Sequence, residues 1–182
     1  MRIERFDIHG PLLIIPDVFK DDRGDFIQTF SVQEFNEWIP NVEFVQDNQS
    51  RSHKNVLRGL HFQKAPHEQG KLVRVSQGSV LDVIVDVRSA SPTYGRHMRF
   101  YLDDKNCHML WIPTGFAHGF LALEDNTVFN YKCSGYYHKP AEGGIRWDDV
   151  TLGIDWGIGN PIVSSKDLEL PSFEELSAHL AQ

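Results

Sequence analysis

Val80-Leu81-Asp82-Val83-Ile84-Val85-Asp86-Val87 is the most regular stretch of this chain. Leu81, Val83, Val85 and Val87 alternate with Val80, Asp82, Ile84 and Asp86, the two-residue period of a β-strand. The first face is wholly aliphatic. The second carries two acids and two aliphatics, so it is only partly polar. Working outward, Gly78 marks a turn and 71–76 reads as the preceding strand. Upstream the same logic gives strands at 12–15, ended by Pro16, and at 25–30, 43–47 and 56–63. Downstream it gives 98–102, 109–112, 119–123 and 128–132. Two capping boxes, Ser31-Val32-Gln33-Glu34 and Ser172-Phe173-Glu174-Glu175, open short helices. Val32, Phe35 and Trp38/Ile39 recur at helical spacing in the first, and Phe173, Leu176 and Leu180 share a face in the second. The middle of the chain has no room for helices between its strands, which excludes a doubly wound α/β fold. The expectation is an all-β jelly roll with short flanking helices, spanning residues 1–182 as a single domain.

Composition narrows the function. The 182 residues include 18 Lys and Arg against 25 Asp and Glu, a formal charge of -7. So acidic a chain lacks the basic face that bulk nucleic acid or an anionic membrane requires, though a small anion needs only a few local cations. Cys107 and Cys133 have no metal-ligand spacing and read as reduced thiols. Met1 to Asp7 holds no apolar run of signal-peptide length, and no window approaches the ~18 apolar residues of a membrane span, so the expected location is cytoplasmic.

Candidate chemistry gathers in few places. His61 lies late in Asn55-Val56-Leu57-Arg58-Gly59-Leu60-His61-Phe62-Gln63. Strict alternation puts His61 with Leu57 and Gly59, and Arg58 with Leu60 and Phe62. A kink at Gly59 would let Arg58 and His61 converge. A lone strand histidine is ordinarily a satisfied core group. A Gly-x-His beside an arginine is a costly arrangement unless something uses it. Lys71 shares a strand face with Val73 and Val75. His118 begins the strand after the Pro113 and Gly115 turn, and it reads either as a buried histidine bonded to backbone or a carboxylate or as a chemical group. Tyr131 lies on a face with Phe129 and Cys133; a neutral phenol there is either core or a proton donor. Ser164-Ser165-Lys166-Asp167 reads as a surface loop. A metal site would want His-x-His, but position 63 is Gln and His53, His67, His97 and His108 are scattered.

Several blocks resemble the dTDP-4-dehydrorhamnose 3,5-epimerases. They are Asp22-Arg23-Gly24, Phe44-Val45-Gln46-Asp47-Asn48, the run 55–63, Gln69-Gly70-Lys71-Leu72-Val73-Arg74 and the segment 111–120. Tyr131-Lys132, Trp147-Asp148-Asp149, Gly153-Ile154-Asp155-Trp156 and Ser165-Lys166-Asp167 follow in order over nearly the whole chain. The resemblance implies a cupin-type homodimer that needs no metal or other cofactor. It implies inversion at C3 and C5 of a 4-keto-6-deoxyhexose carried on dTDP. By position His61 would be the base, Asp167 its orienting carboxylate, Tyr131 the acid on the opposite face and Lys71 a neighbour of the C4 oxygen. Arg23, Phe26, Gln28, Gln46, Asp47, Asn48, Arg58, His118, Glu142 and Lys166 would hold nucleotide and sugar, with Tyr137 stacked on the base. The family usually has Glu where this chain has Gln28, which keeps an acceptor and loses a charge.

Three rivals keep the same scaffold. A mono-epimerase or ketoisomerase would use the same residues. A metal-dependent cupin lacks its His-x-His here. A non-catalytic sugar-nucleotide binding module would tolerate loss of His61.

Overall fold

The computed structural model describes residues 1–180 and bears out the jelly roll. In chain order the strands are β1 (Arg2–Arg5), β2 (Leu12–Ile15), β3 (Val18–Asp21), β4 (Gly24–Ile27), β5 (Gln46–Ser52), β6 (Val56–Gln63) and β7 (Lys71–Gln77). They continue with β8 (Ser79–Asp86), β9 (His97–Asp103), β10 (Met109–Ile112), β11 (Phe116–Ala122), β12 (Thr127–Cys133), β13 (Glu142–Gly144) and β14 (Ile162–Val163). Helices α1 (Val32–Trp38), α2 (Ser165–Leu168) and α3 (Phe173–Leu180) flank them. One sheet runs β1-β2-β10-β7-β12-β5. The other runs β13-β6-β11-β8-β9, with β14 added parallel to β6. β3 and β4 form a hairpin of their own.

The stretch 80–87 now has a three-dimensional meaning. Both of its faces are buried. Val80 and Ile84 join Val73, Leu110, Phe120 and Phe129 between the sheets. Val83, Val85 and Val87 face away from the other sheet, against Ile145, Leu152, Trp156, Phe173 and Leu176 of the C-terminal segment. The partly polar face is therefore the interior of the roll, and Asp82 and Asp86 are each fully buried there. Asp86 is satisfied by Arg88, Ser91 and Thr93.

The outer face of the first sheet is closed by α1. Phe35 packs edge-on to Trp111, with Leu12, Ile14, Leu72 and Met109 around it. Ser31 caps α1, as its capping box predicts. Phe173 and Leu176 of α3 are buried as well. The side chain of Leu180 lies outside the described residues. Each large apolar side chain buried under the second sheet contributes about 1.5–3 kcal/mol, so the C-terminal wrap is firmly held.

Sequence boundaries moved in four places. The strand expected at 43–47 is β5, later and longer, because 42–44 instead feed apolar side chains to the α1 cluster. The strand expected at 25–30 is β4, shorter and paired with β3, whose apolar content was too small to register. β11 begins three residues before the expected 119, which puts His118 mid-strand. Ser165–Leu168, read as loop, is a helical turn capped by Ser164.

Candidate active site

Arg58 and His61 do converge. Opposite β11, His61 pairs with His118 and Arg58 pairs with Phe120, so three steps on β6 face two on β11. The extra residue is a β-bulge, and it reverses the alternation between Gly59 and His61. Leu57, Leu60 and Phe62 then share the outer core, while Arg58 and His61 turn into the roll. Gly59 has φ +113°, and a Cβ there would stand 2.6 Å from Gly119 Cα. Only glycine meets both demands.

The interior holds two connected chambers, of about 300 and 190 Å³. His61, Lys71 and Tyr131 line both. Arg58, His118, Lys166 and Asp167 belong to the larger chamber, and Gln46, Asn48, Tyr137 and Glu142 to the smaller. His61 comes from β6 of one sheet, and Lys71 and Tyr131 from β7 and β12 of the other. A ring held between the sheets would meet His61 on one face and the phenol on the other.

His61 Nε2 bonds Asp167 Oδ1 at 2.7 Å. The two residues are 106 positions apart, and docking of the C-terminal segment brings them together: β14 lies along β6, and α2 follows. Burial alone would raise the Asp167 carboxyl. The bond and charge of His61, the Gly59 N–H at 3.2 Å and the Ser164 hydroxyl outweigh it and hold the group below the usual carboxylate range. An ionised Asp167 only accepts, so His61 Nε2 carries the hydrogen. Nδ1 has no partner among the described residues and is free to take a proton.

Burial pushes the Tyr131 phenol up, which keeps it protonated and able to donate. Burial lowers Lys71, which has no carboxylate within 4 Å among the described residues. Arg58 is likewise without an acid partner; its Nε donates to Ser52 Oγ at 3.1 Å. Two cations left unneutralised inside the roll suit an anionic ligand, in spite of the acid excess overall. At the mouth, Glu142 accepts from Tyr137 at 2.8 Å and from Lys166 at 2.6 Å.

Of the residues the resemblance points to, four lie elsewhere in the chain as described. Asp47 alternates outward on β5 and bonds Lys132 at 2.7 Å on the outer face of the sheet. Arg23 and Phe26 ride on the β3–β4 hairpin, and Gln28 follows it. Among the described residues Arg23 binds only its neighbour Asp21, and Phe26 is 68% exposed. Sequence reading also passed over Asp82, which bonds His118 Nε2 at 2.8 Å. Its signal was an acid flanked by aliphatics in the strand. Among the described residues, no group of three or more His, Cys, Asp or Glu is placed to hold a metal ion.

The family model for dTDP-4-dehydrorhamnose 3,5-epimerase matches residues 5–175. The chain belongs to the dTDP-4-dehydrorhamnose 3,5-epimerase family. A relative of that name from Shigella flexneri is 46% identical over 174 residues, covering 95% of this chain and 96% of its own. Among solved structures, the Legionella pneumophila dTDP-6-deoxy-D-glucose-3,5-epimerase in complex with dTDP-4-keto-L-rhamnose superposes with TM-score 0.93 at 41% identity, covering 98% and 96% of the two chains. A 3'-monoepimerase from Streptomyces bikiniensis in complex with dTDP-quinovose superposes with TM-score 0.90 at 30% identity, covering 97% and 89%. Epimerase and monoepimerase thus share this fold, and no described helix of the present chain is long and apolar enough to cross a membrane.

Proposed function

We propose that this chain inverts C3 and C5 of dTDP-4-dehydro-6-deoxy-D-glucose, giving dTDP-4-dehydro-L-rhamnose. One observation carries the reading: His61, held by the Asp167 carboxylate, and the Tyr131 phenol line the same chamber from opposite sheets. The C4 ketone acidifies the hydrogens on its neighbouring carbons. His61 Nδ1 removes one as a proton, and the electron pair becomes an enolate. Asp167 stabilises the imidazolium so formed and keeps the ring oriented. Lys71 stabilises the enolate oxygen. Tyr131 returns a proton on the other face, the centre is inverted, and proton exchange with water restores the neutral imidazole and the phenol before the second carbon reacts. The pyrophosphate is taken by Arg58 with His118 and Lys166, and Gln46, Asn48 and Tyr137 receive the base.

In this reading residues 1–182 act as one domain and the working unit is a homodimer. The hairpin supports that view. Phe19 and Phe26 are 62% and 68% exposed and touch chiefly each other, which fits a second copy to which Arg23, Phe26 and Gln28 are delivered. The test is turnover in heavy water followed by NMR. Solvent deuterium is expected at both C3 and C5 of the product. Label at one carbon only would leave the monoepimerase reading, and label at neither would end both.

A further inference from the structure

Gln63 closes the run that contains His61, yet the chemistry above gives it no role. It is 7% exposed and its amide is heavily used. Nε2 donates to the carbonyls of His67 at 2.6 Å and Tyr136 at 3.1 Å. Oε1 accepts from the His138 N–H at 2.7 Å. One side chain thereby fastens two loops, 64–70 and 134–138, to the end of the strand that carries the base. The imidazoles of His67 and His138 stack across the join, with centroids 3.8 Å apart and planes 19° from parallel.

The second loop has little apolar anchorage, since Tyr136 and Tyr137 are 70% and 53% exposed. Its other ties among the described residues are the Gln69 Nε2 bond to Gly135 O at 2.7 Å, the mutual bonds of Ser134 and Gly70, the Ala141 N–H bond to His138 O at 2.9 Å and the Tyr137 hydroxyl bond to Glu142. Tyr137 is the loop's contribution to the smaller chamber, where its hydroxyl meets Glu142, the residue paired with Gln63 across β13.

We propose that Gln63 is a positioning residue for the nucleotide: it fixes the 134–138 loop so that Tyr137 stands over the base. The inference rests on the reading that Tyr137 contacts the base. It concerns binding and not proton transfer, because none of the three bonds involves a reacting group.

The test uses Gln63→Met, which keeps volume and removes all three bonds. KM for the sugar nucleotide and Kd for dTDP are each expected to rise about tenfold, the effect of losing one to two net hydrogen bonds. kcat should change by less than about threefold, the pattern of lost uniform binding. The stacked imidazoles give ring-current-shifted His67 and His138 proton signals, which should collapse in the variant. Combined with Tyr137→Ala, the losses should be strongly non-additive. Shifts that collapse with dTDP affinity unchanged would overturn the proposal, as would shifts that persist. A fall in kcat with unchanged dTDP affinity would place Gln63 at the reacting centre instead and also overturn it. Tyr137→Ala alone keeps the two ideas apart: unchanged dTDP affinity there removes the base-stacking reading itself. If Gln63→Met does not fold, Gln69→Met breaks the adjacent bond to the same loop and carries the same expectation at smaller size.

Discussion

Two histidine–carboxylate pairs face the same interior and are built in opposite ways. His118 and Asp82 lie 36 positions apart on β11 and β8, neighbouring strands of one sheet. Their side chains are 8% and 0% exposed, and Asp82 Oδ1 has no hydrogen-bond partner among the described residues. His61 and Asp167 are 106 positions apart. His61 is 30% exposed, and Asp167 arrives on a four-residue helix from the C-terminal wrap. The inner pair is part of the wall. The outer pair is assembled by docking, and its imidazole is the more exposed of the two, 30% against 8%, in the space both share with Tyr131 and Lys71. Burial and proximity alone do not make a base; an accessible lone pair opposite an acid does.

The sharpest way to break this contrast is to remove each imidazole in turn. His61→Asn should lower turnover about 10³-fold, the typical worth of a positioned base, with dTDP still bound. His118→Asn should instead raise KM, by about tenfold, with a small change in kcat, because its expected partner is phosphate. Steady-state kinetics with dTDP titration separates the two. Equal losses in kcat would erase the distinction drawn between the pairs, and an unaffected His61→Asn turnover would remove the enzymatic reading.

The carboxylates give the next largest effect. Asp167→Asn offers His61 an amide that can donate, which favours the wrong tautomer, and kcat should fall about 10²-fold or more. Asp82→Asn keeps an acceptor for a ring to which the proposed mechanism gives no proton transfer. It should cost on the order of 1 kcal/mol of stability and change kcat only about threefold. Thermal unfolding run beside kinetics checks both halves. A kcat loss at Asp82 matching that at Asp167 would mean the inner pair takes part in the chemistry.

The contrast also explains what could be read from the sequence. The inner wall was legible: β6, β10 and the regular stretch 80–87 follow from period-two patterning, since strand burial is written into consecutive residues. His61 and its neighbours stood out because Arg-Gly-x-His is an odd strand interior. A kink at Gly59 was legible as the condition for Arg58 and His61 to converge, but what requires glycine there, the close approach of Gly119 on another strand, was not. Nor did spacing link Asp167 to His61. That contact depends on apolar burial of Trp156, Leu152 and Phe173 across the outer sheet face, and only the family resemblance anticipated it. Asp82 was visible as an acid among aliphatics, but its partner lay on a strand whose start was misplaced by three residues.

The smallest expected effect concerns acid. Asp86 and Asp167 both sit below the ordinary carboxylate range, Asp86 at about 2. In each, burial alone would raise the group, and hydrogen bonds outweigh it: Arg88, Ser91 and Thr93 for Asp86, and His61, Gly59 and Ser164 for Asp167. A carboxyl depressed in the fold contributes stability that is complete above its unfolded value, near ~3.9, and is lost as pH falls through the folded one. For Asp86 that contribution is on the order of 2 kcal/mol, released between about pH 4 and pH 2. Stability should therefore drop along that limb in denaturant titrations. Asp86→Asn should flatten the limb most, and Asp167→Asn by a smaller amount, since its pair is partly solvated. Because the Asp167 contribution resides in the docked C-terminal segment, its share should also appear as faster amide exchange around residues 162–168. An acid limb unchanged in Asp167→Asn would mean that His61 holds its partner without contributing to the fold, so that of these two carboxylates only Asp86 stabilises it.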